Sequence, residues 1–360
     1  MQKPSGTWEK ALVAGVIVGA LVGTTGCKKL LKRKGAATED DAGPTTSAAQ
    51  AVQDDADEQL QEKLDEYIRC LNSLSSSIHQ SRSRYLRYIP RTGPTGRERF
   101  ADLYRLPVGA AAKCSSGVAK AKLMPPQDPK LEGAGEEFAA AGLEIDRLIT
   151  TADRYYENKD FRDDKWAKGK ELHPQLMAGW SRFSKADKDL HETLDGITKP
   201  LAQRVLGRIE REEGKKFRYW RKATLIRARE LVESSDPIGE DDDIDFQLYS
   251  AAYTEFEQAL DELTNYGALH KADLSDQAQA PSWPLAASNF DSFVKEAGDF
   301  KKAAKEFWRC LRDAPEKAKT PSGKIDMLGR CADGPSWKVG DEVVKQYNEF
   351  IRTSNNRQFP

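Results

Sequence analysis

Apolar positions fall at Leu60, Leu64, Tyr67, Leu71, Leu74, Ile78, Tyr85 and Ile89. Their spacing is mostly three and four, the period of one face of an α-helix. Pro90, Gly93, Pro94 and Gly96 end that run, because proline and glycine interrupt helical pattern. A second helix is expected over 97–122, weakened at Pro107 and closed by Pro125, Pro126 and Pro129. A third, over 131–157, turns Phe138, Ile145, Leu148, Ile149, Ala152 and Tyr156 toward a core. Next, Leu176, Trp180, Phe183, Asp187, Leu190, Leu194, Ile197 and Leu201 alternate steps of four and three. This is a heptad seam broken only by Asp187. Gly196 and Pro200 predict a kink before a further run over 201–232, and helices follow over 246–269, 286–312 and 339–353. With no alternating run of strand length and no internal repeat, the pattern predicts an all-α fold, an elongated bundle of long antiparallel helices.

The N-terminus reads as an address. Lys3 and Lys10 precede an apolar run over 11–22, and Gly23, Thr24, Thr25 and Gly26 lead into Cys27. A charged start, an apolar middle and small residues before a cut make a secretory signal. The run is shorter than the roughly 20 residues a spanning helix needs. A cysteine directly after small residues resembles the bacterial lipobox, in which it is diacylated and becomes the new N-terminus. Thr24 departs from that box, where leucine is preferred, and the cations after the cut oppose translocation. The alternative is an uncleaved anchor whose basic flank stays in the cytoplasm. Residues 35–58, rich in Ala, Thr, Asp, Gln and Gly, cannot bury enough surface to offset chain entropy and predict a disordered tether. The expected plan is therefore a signal peptide (1–26), a lipid anchor and linker (27–58) and a helical domain (59–360), with a candidate internal division near 236–245. The expected location is the cell envelope, at the outer membrane facing the periplasm.

Of the 360 residues, 31% are charged and 39% hydrophobic, and the mean hydropathy is -0.69. Such a balance suits long solvent-washed helices. A formal net charge of -1 recruits no nucleic acid. Only Lys28, Lys29, Lys32, Arg33 and Lys34, just after the apolar run, are concentrated cations of the stalk.

If Cys27 carries lipid, four cysteines remain, Cys70, Cys114, Cys310 and Cys331. An even number in an exported chain favours disulfides, with three connectivities open. Pairing Cys70 with Cys114 and Cys310 with Cys331 is expected, since each pair bridges neighbouring segments. The alternative is four free thiols in a cytoplasmic protein.

The chain has no HExxH, no Glu-x-x-His pair, no GxSxG elbow and no Walker loop. The acidic stretch 240–245 fails as a calcium loop, because counting from Asp241 puts Phe246 at the glycine position and Ala252 at the bidentate one. Cations and aromatics mix over 215–222, as on single-strand nucleic-acid or anionic-lipid surfaces. A helix explains them better: Phe217, Trp220, Thr224, Ala228 and Leu231 face inward and Lys215, Arg218 and Lys222 face water. The densest polar segment contains Tyr155, Tyr156, Asp160, Asp163 and Asp164, followed by His173. Its carboxylates and histidine could bind a cation, or Lys165, Lys168 and Lys170 an anion. The competing reading is a helix cap from Asp160 or Asp163. Asp187 either rotates out, with Ala186 taking the inward position, or has a buried partner; rotation is the expectation.

Leu64-Asp65-Glu66-Tyr67-Ile68-Arg69-Cys70-Leu71-Asn72, Ser81-Arg82-Ser83-Arg84-Tyr85, Gly93-Pro94-Thr95-Gly96, the block 155–174 and Glu210-Arg211-Glu212-Glu213-Gly214-Lys215-Lys216-Phe217-Arg218-Tyr219 together resemble the YiiG-like family of bacterial lipoproteins, a domain of unknown function. The resemblance covers most of the chain after the linker and thins beyond about Asp236. It implies a lipid-anchored, cysteine-bearing helical protein, and no catalytic residue. The functional expectation is thus a non-enzymatic binding or structural body, without a cofactor, whose partners are a membrane through its lipid and an envelope protein, glycan or lipid. The alternatives are a metal- or small-ligand-binding protein using 155–173, and an uncleaved, membrane-anchored cytoplasmic protein.

Overall fold

The computed structural model describes residues 48–235, 243–270, 283–319, 323–326, 330–331 and 334–356. Helix α1 (Ala48–Tyr88) has 41 residues, about 60 Å at 1.5 Å per residue. Its predicted apolar face is buried from Leu64 to Ile89. The helix nevertheless begins inside the stretch expected to be a disordered tether, which corrects that boundary. Asp57 pairs with Arg204 at 2.8 Å, Glu58 with Arg208 at 3.1 Å and Asp54 with Arg211 at 3.8 Å. Carboxylates one turn apart meet a row of cations, so this polar part of the helix is held by charge instead of apolar burial.

The expected helix over 97–122 is only α2 (Ala110–Lys122). The preceding residues are captured by a local turn: the Glu98 carboxylate accepts from the amides of Thr95 at 2.9 Å, Gly96 at 2.9 Å and Arg97 at 3.1 Å. A side chain that satisfies backbone donors in this way competes with helix formation, and α2 starts only after Gly109, whose φ is 78°. Helix α3 (Pro129–Glu157) follows the expectation, with Asp128 accepting from the amides of Lys130 and Leu131 and proline at the first turn.

Helix α4 (Ala167–Glu213) runs 47 residues through Pro174 and Pro200 without ending. The helix is continuous at Gly196 and Pro200, where a kink was expected, and the run expected over 201–232 is divided at Gly214, whose φ is 78°. Burial of Leu190, Leu194 and Leu201 holds the helix across the lost hydrogen bond. Then come α5 (Phe217–Glu233), α6 (Phe246–Leu269), α7 (Trp283–Arg312) and α8 (Ser336–Asn356). The acidic stretch assigned to a loop and candidate division lies largely outside the described residues, at 236–242. The fold is all-α, its β content among the described residues being two-residue pairings such as Asp243–Ile244 with Ile325–Asp326.

Helices α1, α2, α3 and α4 pack on one another, α5 packs on α6 and α8, α7 packs on α6 and α8, and α4 meets α5. Tyr85 lies beside His173, Ser75 beside Asp187 and Asp57 beside Arg204, so α1 and α4 run antiparallel. Aromatic rings pack directly on the backbone where glycine allows it. A Cβ on Gly135 would stand 2.3 Å from Tyr67, and one on Gly267 2.2 Å from Phe290.

Candidate functional site

The block 155–173 is taken apart by the fold. Tyr155 donates to Asp164 at 2.8 Å, and Asp164 accepts from the Lys168 amide at 3.0 Å, closing the first turn of α4. Desolvation opposes ionisation of Asp164, but the hydrogen bonds from Lys168 and Tyr155 outweigh it and hold the carboxyl below its ordinary range. Burial first, and then the neighbouring Asp164 carboxylate, push the Tyr155 phenol up. Tyr156 is packed among Tyr85, Phe161 and Trp166. Lys159, Lys165 and Trp166 all have positive φ, a conformation that packing of Phe161 on Trp166 at 4.5 Å keeps in place.

His173 sits elsewhere in this end of the bundle. Its Nε2 lies 3.0 Å from the Arg91 carbonyl, so it donates, and Nδ1 accepts from the Tyr85 hydroxyl at 3.0 Å. Both ring nitrogens are used to tie α1 and the turn after it to α4. Gly93 packs edge-on against the same imidazole, and a Cβ there would be 3.2 Å from it. Asp160 and Asp163 are exposed on the rim. Thus Tyr155 and Asp164 are brought together, Tyr156 joins His173 only through Tyr85, and the other two carboxylates stand apart. Among the described residues no group of three or more His, Cys, Asp and Glu is placed to hold a metal ion.

A buried polar cluster centres on Asp187. This residue is fully buried and Ala186 is 2% exposed, so the expected rotation does not occur. Because α4 is covered by both α1 and α3, its buried stripe is wide enough to take adjacent positions. Asp187 Oδ2 accepts from Ser75 at 3.1 Å and pairs with His79 Nε2 at 3.0 Å. His191 Nδ1, 2.8 Å from the Asp187 carbonyl, donates to it and stands 3.5 Å from Oδ1. Asp187 Oδ1, His191 Nε2 and Asn72 Oδ1 are buried without a hydrogen-bond partner. Ser75, His79 and His191 were not candidates from sequence. Their signal was there: Ser75 with His79, and Asp187 with His191, are polar pairs one helical turn apart inside apolar stripes.

A buried ion pair was also missed. Lys63, with no exposure, donates to Glu132 at 2.7 Å and to the carbonyls of Met124 at 3.0 Å and Pro126 at 2.8 Å. It ties α1 to the start of α3. On α5, Phe217, Thr224, Ala228 and Leu231 are buried, Trp220 half-buried and Lys215 and Arg218 exposed. Lys222 departs from the expected wet face. It is half-buried, and burial first, then Arg221, Arg218 and Arg208, push its ammonium down to about 7.

Cys70 and Cys114 form a disulfide between α1 and α2, their Cα atoms 4.3 Å apart. Cys310 is also disulfide-bonded. The side chain of Cys331 and all of Cys27 lie outside the described residues.

Fold and polar interior together define a disulfide-bearing all-α protein whose buried charges and histidines join helix to helix. The chain belongs to the family described as Protein of unknown function (DUF3829), whose model matches residues 58–356. It is similar to the Uncharacterized protein YiiG of Escherichia coli (strain K12), at 27% identity over 322 residues, 88% of this chain and 84% of that protein. No solved structure matches the chain.

Proposed function

We propose that this chain is a lipid-anchored protein of the bacterial cell envelope. Diacylated Cys27 holds it to the outer membrane, facing the periplasm, and its helical body acts by binding or as structure, not by catalysis. The observation that carries this reading is the Cys70–Cys114 disulfide joining α1 to α2. Disulfides persist in oxidising compartments and are rare in the cytosol, so the bond favours export over an uncleaved cytoplasmic anchor. The charged start, apolar run and small residues before Cys27 supply the export signal. Among the described residues, no helix is long and apolar enough to cross a membrane.

The intact mass of membrane-extracted protein tests the reading. A mass of residues 27–360 plus acyl groups is the expected result. A mass equal to the unprocessed chain overturns it. Replacing Cys27→Ser is expected to move the folded protein out of the membrane fraction washed at high salt, which removes attachment by charge alone.

A further inference from the structure

Among the described residues, most arginines are paired. Arg182, Arg204, Arg227, Arg309, Arg312 and Arg352 each hold a carboxylate. The exceptions are not scattered. Among the described residues, Arg87, Arg97, Arg99, Arg154 and Arg162 are exposed and have no acidic group within ion-pair reach. All five lie at one end of the α1–α4 unit, and Arg147, exposed and likewise without such a group, stands two turns earlier on α3.

The segment between α1 and α2 brings this end together. Phe100 packs against Tyr88 with ring centroids 4.4 Å apart and planes inclined at 47°, and the Arg84 guanidinium lies 5.3 Å from the Tyr104 ring. Arg105 reaches Asp153 of α3 at 3.5 Å. Arg97 and Arg99 are therefore carried on a loop folded back along α1 and fastened to α3, with Arg87 and Arg154 on the helices beneath. The stretch 82–105 itself carries seven arginines and two acids, Glu98 and Asp102, and Arg105 takes its carboxylate from α3. Those two acids are engaged, Glu98 by the amides of its own turn and Asp102 by Arg84 at 3.8 Å. On the neighbouring α3–α4 turn, Glu157, Asp160 and Asp163 offset Lys159, Arg162 and Lys165, so the excess of positive charge belongs to the loop.

The same loop exposes large apolar side chains. Phe100 is 49% exposed and Val108 96%. Cations beside exposed apolar groups fit the boundary of an anionic bilayer, where the charges meet headgroups and the apolar groups enter the acyl edge. A single-stranded nucleic acid would need free aromatic faces for stacking, and the Phe100 ring is already packed against Tyr88. We propose that the 97–108 loop, with the ends of α1 and α3, is a docking surface for an anionic phospholipid membrane. It lies at the far end of α1 from Ala48, where the chain enters from the N-terminal side, and it needs no lipid on Cys27.

The test is co-sedimentation of the full chain, carrying Cys27→Ser throughout, with vesicles of phosphatidylcholine alone or mixed with phosphatidylglycerol. Binding that requires phosphatidylglycerol and weakens with salt is expected. Arg97→Glu with Arg99→Glu should lower the partition at least about tenfold, and Arg97→Gln with Arg99→Gln by a smaller factor. Phe100→Ser with Val108→Ser should lower it severalfold with the salt dependence unchanged. The same charge change at Lys302→Glu with Lys317→Glu should have no effect, and circular-dichroism melts should match throughout. Equal binding by the Arg97→Glu, Arg99→Glu variant and its parent overturns the proposal. So does binding to linear polyphosphate that depends on the arginines, joined to vesicle binding indifferent to Phe100 and Val108. The mass measurement on Cys27 is separate, so either reading can fail alone.

Discussion

The two halves of the described body use different interiors. Helices α1 to α4 bury Asp57, Lys63, Ser75, Ser81, Glu132, His173, Asp187, Thr193, Thr198 and Arg208. From α5 onward the buried polar residues among those described are Thr224, Arg229, Ser235 and Ser354, and the centre is aromatic, with Phe256, Phe293, Phe300, Phe307, Tyr347 and Phe350. Phe300 contacts Phe256 at 5.0 Å and Tyr347 at 5.5 Å between centroids. Apolar packing is non-directional and sums over area, whereas a buried ion pair or hydrogen bond holds only at one register. The first half therefore specifies which turn of one helix faces which turn of the next, and the second half specifies how volume is filled.

The comparison can be broken by substitution. The largest effect is expected for Phe300→Ala, about 4 kcal/mol by denaturant unfolding, because the cavity opens inside the aromatic cluster. A cost near that of a surface change would mean the second half does not rest on volume. Glu132→Gln should cost about 3 kcal/mol, since it leaves the Lys63 ammonium buried with only carbonyl partners. If Lys63→Met in the same background restores most of that loss, the cost lies in the uncompensated charge. Asp187→Leu should cost about 2 kcal/mol, by stripping Ser75 and His79 of their acceptor. A gain in stability would mean that the cluster is tolerated and not needed.

The smallest effect concerns pH. Lys222 titrates at about 7 in the fold against an ordinary 10.5, so between those values the unfolded chain binds the proton and the folded chain does not. Stability attributable to this group should rise as pH goes from about 7 to 10.5. Lys222→Met should thus be stabilising near neutral pH, on the order of 1 kcal/mol after solvent screening of a half-buried group, with the gain fading toward pH 10.5. A gain independent of pH would assign it to packing instead.

Helical class was legible from sequence because the period of three and four reports one buried face, and burial of that face is a local property of the chain. The seam from Leu176 to Leu201 and the helix Phe246–Leu269 belong to this kind of information, as does the pairing of Cys70 with Cys114 between adjacent helices. The remainder depended on which charge meets which across the bundle. Residues 48–58 look like a tether until Arg204, Arg208 and Arg211 of α4 stand opposite them. Asp187 looks like a residue to be turned outward until α1 presents Ser75 and His79 to it. The block 155–173 looks like one site, but its histidine lies on the face of α4 that meets Tyr85, while Asp160 and Asp163 remain on the rim. Periodicity determines which side of a helix is buried; only the packing of partners distant in sequence decides what a buried polar group finds there, because that depends on the relative register of two helices and not on the pattern of either.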